Sequence, residues 1–320
     1  MKMKFLFLLV TTCFISCGDD TNLSADDTDS MNQPDVVEEL TSNPPSVLGM
    51  DYTKSKSSVN DTYAALKSAL EANPNIGIVA EMDHQENAAS VDLNLNPTKI
   101  IFFGNPNLGT PLMQKNQLAG LDLPQKIVVY QNDVEEVYVA FNNTTYLSTR
   151  HGLDSIGTLP MIQGALTNLS TGASQDTIVA AVNSIANLEE GIIVKTINGS
   201  CDEAYSRLRA AIANNPALKI IAELDHQVNA ASVDLKLNPT RIIIFGNPNL
   251  GTPLMQNTQT TALDLPQKML VWTDDDGIAH VAYNDPTFLA KRHGITENEE
   301  VLTTIANALD KLSDVAVGEE

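Results

Sequence analysis

Glu81-Met82-Asp83-His84-Gln85 returns 142 residues later as Glu223-Leu224-Asp225-His226-Gln227. Outward from that pentapeptide the register holds without a gap from Gly49/Gly191 to Leu153/Ile295. Positions 81–153 and 223–295 share 46 identities in 73, and positions 81–114 and 223–256 share 29 in 34. Chance does not produce such agreement, so the chain carries two copies of one domain of about 105 residues. A solenoid would need more and shorter units. The expected organisation is a signal peptide at 1–16, a lipidated acidic tether at 17–48, a first repeat at 49–153 and a helical linker at 154–190. A second repeat at 191–295 and a C-terminal helix and tail at 296–320 complete it.

The second copy gives the clearer pattern. Gly191 to Thr196 reads as a strand, and Ser200-Cys201-Asp202-Glu203 as a capping box opening a helix with Tyr205, Leu208, Ala211 and Ile212 on its apolar stripe. Strands follow at Lys219–Asp225, Arg241–Phe245, Lys268–Thr273 and Ile278–Tyr283, with Asp274 to Gly277 as the turn between the last two. A helix begins at Asn284-Asp285-Pro286 and ends at Gly294. Val301, Leu302, Ile305, Leu309 and Leu312 mark a closing amphipathic helix. The order β-α-β-β-β-β-α makes the fold class α+β. In the linker, Ile178, Val182, Ile185 and Leu188 predict a further helix. The near-identity of the copies predicts that they pack face to face about a pseudo-twofold, as two subunits of a homodimer would.

Composition narrows the role. With 43% hydrophobic and 18% charged residues, a packed core is within reach. The formal charge of −21 repels phosphate backbones, so no nucleic-acid partner is expected. Lys2 and Lys4 precede the short apolar run Phe5 to Val10, a secretory signal rather than a spanning helix. The run ends Phe14-Ile15-Ser16-Cys17-Gly18, which resembles a bacterial lipobox with Phe14 in place of the usual leucine. Cys17 is therefore the expected lipidation site. Asp19-Asp20 resembles an acidic export signal of surface lipoproteins, so the expected place is the outer membrane, on its periplasmic or surface leaflet.

One family carries these motifs. Phe245-Gly246-Asn247-Pro248-Asn249-Leu250-Gly251-Thr252-Pro253-Leu254-Met255, Leu263-Asp264-Leu265-Pro266, Tyr283-Asn284-Asp285-Pro286 and Arg292-His293-Gly294 resemble the domain-of-unknown-function 302 family. The first copy repeats the pattern from Phe103 to Met113, at Leu121 to Pro124 and at Arg150-His151-Gly152, and departs from it at Asn142-Asn143-Thr144 and Tyr130. The resemblance implies a small α+β domain with an antiparallel sheet, similar to the TATA-binding-protein-like topology. It implies no established activity, and no cofactor is expected.

Several residues are candidates for ligand contact. Gly104–Met113 and Gly246–Met255 form loops entering a helix, with Asn105 and Asn247 in the loop, Thr110 and Thr252 as expected N-caps and Pro111 and Pro253 as first helical residues. Two readings stand: a stiff capped turn, or a loop whose free N–H groups contact a ligand. His84/His226 and His151/His293 recur in register. Strand alternation places Ile220, Ala222, Leu224 and His226 on one face, and Ile221, Glu223 and Asp225 on the other. Glu81/Asp83 and Glu223/Asp225 are then candidate acidic pairs, either for paired carboxylate chemistry or as a solvated face. His84, Met113 and His151, with His226, Met255 and His293, form an imidazole and thioether set suited to copper. Cys201 replaces Val59 and reads as packing.

The expected protein is a lipid-anchored envelope module that binds a small ligand or an envelope protein. An enzyme using the His and carboxylate groups, or a copper-binding protein, is the alternative. Because Cys17 is the expected anchor, Cys17→Ala is expected to move the protein from the membrane fraction to the soluble one, or to leave it unprocessed. Unchanged fractionation with unchanged mature mass contradicts this.

Overall fold

The continuous apolar runs Ile100 to Phe103 and Ile242 to Phe245 are buried at every position, which a strand achieves only when both sheet faces are covered. The computed structural model describes residues 44–181 and 186–319, so the expected signal peptide and Cys17 lie outside the described residues. The first repeat runs β1 (Met50–Ser55), α1 (Val59–Glu71), β2 (Gly77–Asp83), α2 (His84–Ala89), β3 (Thr98–Gly104) and α3 (Pro106–Lys115). A 3-10 segment (Gln117–Asp122), β4 (Gln125–Gln131), β5 (Val137–Asn142), α4 (Thr144–His151) and α5 (Leu159–Ser174) follow. The second repeat matches it: β6 (Ile192–Ile197), α6 (Cys201–Ala213), β7 (Lys219–Asp225), α7 (His226–Ala231), β8 (Thr240–Gly246) and α8 (Pro248–Asn257). It continues with a 3-10 segment (Gln259–Leu263), β9 (Gln267–Thr273), β10 (Ala279–Asn284), α9 (Pro286–His293) and α10 (Glu299–Val317).

Each repeat is one antiparallel five-stranded sheet, ordered β1-β5-β4-β3-β2 and β6-β10-β9-β8-β7. The Ser200/Glu203 capping box is present, and Gly152 and Gly294 close α4 and α9 in the left-handed conformation. Helices α1 and α5 cover one face of the first sheet, over Ile101, Phe103, Ile127, Val129 and Phe141. Helices α6 and α10 cover the matching face of the second. Helix α5 therefore stands to the first repeat as α10 stands to the second.

Three local expectations are corrected. The linker helix ends at Ser174; Ile178 and Leu188 are not helical, while Val182 and Ile185 lie outside the described residues. Val179 instead bridges Tyr52 on the edge strand β1. The alternation along β7 breaks at a bulge at Ile221, matched by one at Val79 in β2. Ile220 thus enters its own repeat's core while Ile221, Ala222 and Leu224 pack with the opposite face. Finally, Val47 is already buried and Leu48 O accepts a hydrogen bond from Arg292 Nε at 2.9 Å, so the last residues of the stretch expected as a tether are docked on the fold.

The second faces of the two sheets meet each other's 3-10 segments. Leu118 and Leu121 pack on Ile242, Leu270 and Trp272, and Ala262 and Leu263 pack on Ile100, Phe102 and Val128. The contacts are reciprocal at the repeat offset. Gln117 Nε2 donates to Thr240 Oγ1 at 2.8 Å, and Gln259 Nε2 to Thr98 Oγ1 at 2.7 Å. Gln114 donates to Lys236 O at 2.7 Å, and Gln256 to Asn94 O at 2.6 Å. This is the isologous interface of a twofold dimer, made within one chain.

Gly191 has φ +66°, and a Cβ there would lie 2.0 Å from the Phe288 ring. Gly191→Ala is expected to cost more than about 2 kcal/mol, from the left-handed backbone and overpacking together. Gly164 in α5 has open space around it, so Gly164→Ala is expected to gain roughly 0.5–1 kcal/mol. Denaturant titration of both variants checks the pair; a tolerated Gly191→Ala contradicts the packing described.

Candidate functional site

The loop after β3 decides where the candidate residues go. Asn105, not Thr110, caps α3: its side chain accepts from the Asn107 N–H at 3.0 Å, and Pro106 is the first helical residue. Asn247 and Pro248 do the same for α8. Proline lacks an N–H and needs no partner in the first turn, which favours Pro106 there. The cap thus lies five residues before the expected one. Thr110 and Thr252 fall inside the helices, buried, beside Pro111 and Pro253.

The loop, the helix after it and the covering helix α5 wall an apolar pocket of about 250 Å³. Phe103, Thr110, Met113, Pro124 and Ile162 line it from the first repeat, and Leu224, His226 and Asn229 close it from the second. The equivalent pocket of about 90 Å³ has Phe245, Thr252, Met255, Pro266 and Ile305 from the second repeat, closed by Met82, His84 and Asn87 from the first. Each histidine therefore serves the other repeat's pocket. Among the described residues no charged side chain lines the larger pocket, and Lys219 alone lines the smaller.

His84 and His226 are the first residues of α2 and α7, placed by the N-caps Asp83 and Asp225. Both are 4% exposed, and neither Nε2 has a hydrogen-bond partner among the described residues. Burial pushes both imidazoles down to about 4, against the opposing pull of Asp83 and Asp225. They are neutral groups at pH 7, and each is part of the lining of an apolar cavity. The Thr252 hydroxyl in the smaller pocket and Gln125 Nε2 in the larger are likewise buried without a partner among the described residues.

His151 and His293 lie elsewhere. His151 Nε2 meets Asp122 Oδ2 at 2.7 Å, and Arg150 Nη1 donates to the same oxygen at 2.8 Å. His293 and Arg292 hold Asp264 in the same way. Each arginine then crosses the pseudo-twofold: Arg150 Nη2 reaches Asn284 Oδ1 at 2.9 Å and Arg292 Nη2 reaches Asn142 Oδ1 at 2.6 Å. The Arg292 guanidinium stacks 4.2 Å from the centre of the Tyr146 ring, and Arg150 lies 5.0 Å from that of Phe288. The arginines, with His151, His293 and Lys126, hold both aspartates well below the usual carboxylate range, although burial opposes this. Lys126 lies 3.9 Å from Asp122 and 3.7 Å from Asp264. Burial and the neighbouring Lys126 push the Lys268 amine well down.

The histidine and methionine sets therefore do not gather within a copy. His84 shares a pocket with Met255 and His226 with Met113, while His151 and His293 belong to the buried ion network. No group of three or more His, Cys, Asp or Glu suited to a metal occurs among the described residues. The acidic pairs are also divided. Glu81 accepts from Tyr63 at 2.9 Å and Lys67 at 2.7 Å, whereas Asp83 caps α2 and pairs with Lys99 at 3.0 Å. Glu223 meets Tyr205 and Arg209, and Asp225 meets Arg241. Cys201 is buried, with its thiol pushed up to about 11 by burial.

The sequence reading missed Asp122, Lys126, Arg150 and their counterparts Asp264, Lys268 and Arg292. The signal for them is Leu-Asp-Leu-Pro-Gln-Lys, identical in both copies and running into an apolar strand.

A family model described as "Domain of unknown function DUF302" matches residues 52–169 and 193–312, together most of the chain. Among curated proteins, the chain is similar to "Fluoride-specific ion channel FluC 1" of Brucella suis biovar 1 (strain 1330), 37% identical over 114 residues. That match covers 36% of this chain and 44% of that protein. It is similar to "Fluoride-specific ion channel FluC 2" of Brucella melitensis biotype 1 at the same identity, covering 36% of this chain and 42% of that protein. The chain thus spans less than half the length of these relatives. Among solved structures, the uncharacterized conserved protein DUF302 from Bacillus stearothermophilus matches at 20% identity with a TM-score of 0.34. That match covers 39% of this chain and 98% of that one.

The buried histidines set a pH dependence. Their folded values, about 4, lie below the ordinary 6.5, so the unfolded chain takes up protons first as pH falls. Their contribution is fully present above pH 6.5 and is lost between 6.5 and 4, on the order of 3 kcal/mol for each. Urea titrations across that range are expected to show the fall in the native protein, and a much flatter profile in His84→Leu/His226→Leu. An equal slope in both contradicts the assignment.

Proposed function

The chain belongs to the DUF302 family, a premise that carries no activity with it, and from there we propose that it is a lipid-anchored protein of the cell envelope whose work is binding rather than catalysis. Its lipid would hold it at the outer membrane through Cys17, on the periplasmic or surface leaflet, with the acidic tether between anchor and fold. The lipobox-like Ile15-Ser16-Cys17-Gly18 supports the anchor. No helix among the described residues is long and apolar enough to cross a membrane. The similarity to proteins named as ion channels supports a membrane-side setting for the shared domain.

One observation carries the binding role: two apolar pockets, each closed across the repeats by a buried neutral imidazole whose Nε2 has no partner among the described residues. A buried polar atom left unpaired costs about 1–3 kcal/mol, and a ligand that satisfies it recovers that energy on binding. The carboxylates that an enzyme would use are already engaged by lysine, arginine and tyrosine side chains.

A ligand-observed NMR fragment screen of the mature protein, repeated on His84→Leu/His226→Leu, tests this. Hits that bind the native protein and lose affinity in the variant are expected. An absence of hits, or hits indifferent to the substitutions, contradicts it. Imidazole and thioether do share each pocket, so copper(I) belongs in the same series. Tight binding of copper(I) that the double substitution abolishes would replace the small-molecule reading.

A further inference from the structure

We propose that the larger pocket takes a small uncharged molecule bearing a hydroxyl group, a phenol or an alcohol of similar size, and that Gly77 keeps its entrance open. The inference rests on reading the pockets as ligand sites and names the ligand's chemistry.

Charge is settled by the lining. The lining of the larger pocket holds no ionisable side chain but His226 among the described residues, and the chain carries −21 overall. An anion entering it would be desolvated without a counter-charge, which is costly. A cation would meet no carboxylate. Burial that depresses the His226 imidazole points the same way, because the ring is not available as a cation near neutral pH.

The hydroxyl follows from His226, which lines the cavity and whose buried Nε2 has no partner among the described residues. That nitrogen accepts or donates according to tautomer, and a hydroxyl serves either need. Phe103, Leu108, Met113, Ile162 and Leu166 supply the hydrocarbon of the wall, beside the neutral polar side chains of Asn73, Asn105, Thr110, Gln125 and Asn229, of which Gln125 Nε2 is also buried without a partner among the described residues. Size follows from volume. An apolar cavity of about 150 Å³ holds benzene, so the space of about 250 Å³ admits a substituted ring. The counterpart of about 90 Å³ does not.

The copies differ at the mouth. Gly77 stands at the rim of the larger pocket where Lys219 stands at the rim of the smaller, and Leu312 of α10 adds a wall to the smaller pocket alone. A side chain at residue 77 meets no atom within 4 Å of its Cβ and needs no unusual φ, so Gly77→Lys changes the entrance without straining the fold.

Calorimetric titration of the mature protein with phenol, toluene and benzoate tests the proposal. Phenol is expected to bind one equivalent per chain, with toluene and benzoate at least tenfold weaker. Gly77→Lys should weaken phenol at least tenfold, and His226→Leu should bring phenol down to the affinity of toluene. Benzoate as tight as phenol, toluene as tight as phenol, or phenol affinity untouched by Gly77→Lys overturns the proposal. If none of the three binds while other fragments occupy the pockets, this ligand class is wrong and the binding role stands. If nothing binds there at all, both fall.

Discussion

Arg150 and Arg292 each hold an aspartate of their own repeat and an asparagine of the other, and the arrangement of the two copies turns on that exchange. A guanidinium suits the task because its planar fork donates to several acceptors at once and stacks on an aromatic ring. Breaking such a buried set by removing one partner costs about 3–5 kcal/mol, since an uncompensated charge remains. Its strength is therefore less in net stabilisation than in register: few other placements of the two sheets would give each arginine an aspartate of its own repeat and an asparagine of the other.

The pockets are a consequence of that placement. Each cavity has three walls from one repeat and a lid from the other, so neither repeat contains a whole site. The lid histidines are buried because the opposing α3 and α8 cover them, and burial keeps them uncharged. Duplication within one chain then lets the sites diverge without disturbing the interface. The interface glutamines Gln117 and Gln259 are the same in both copies, whereas the rim residues Gly77 and Lys219 differ.

Local physics was legible in the sequence. The Ser200/Glu203 box, the Gly294 stop and the stripe from Val301 to Leu312 act over one or two helical turns, and all appear in the structure. The apolar pattern bounds the second strand at Lys219 and Asp225, as in the structure, but strict alternation does not give its faces. The bulge at Ile221 has no signature in the residues themselves. The helix expected around Ile178 was misplaced because the stretch from Leu159 to Ser174 contains Gly164 and Gly172, which weaken a helical signal, yet packing on α1 stabilises it. The crosswise pairing of His84 with Met255 was beyond reach for a different reason. Equivalent residues invite grouping within a copy, and only the interface shows that the partner comes from the other.

Unification of the two repeats by their shared, buried faces is most directly tested by differential scanning calorimetry of the mature chain at pH 7. The account predicts a single endotherm whose calorimetric and van't Hoff enthalpies agree, because neither sheet keeps its second face covered once the other unfolds. Two resolved transitions, or a calorimetric enthalpy near twice the van't Hoff value, would mean that the repeats unfold independently and would contradict it.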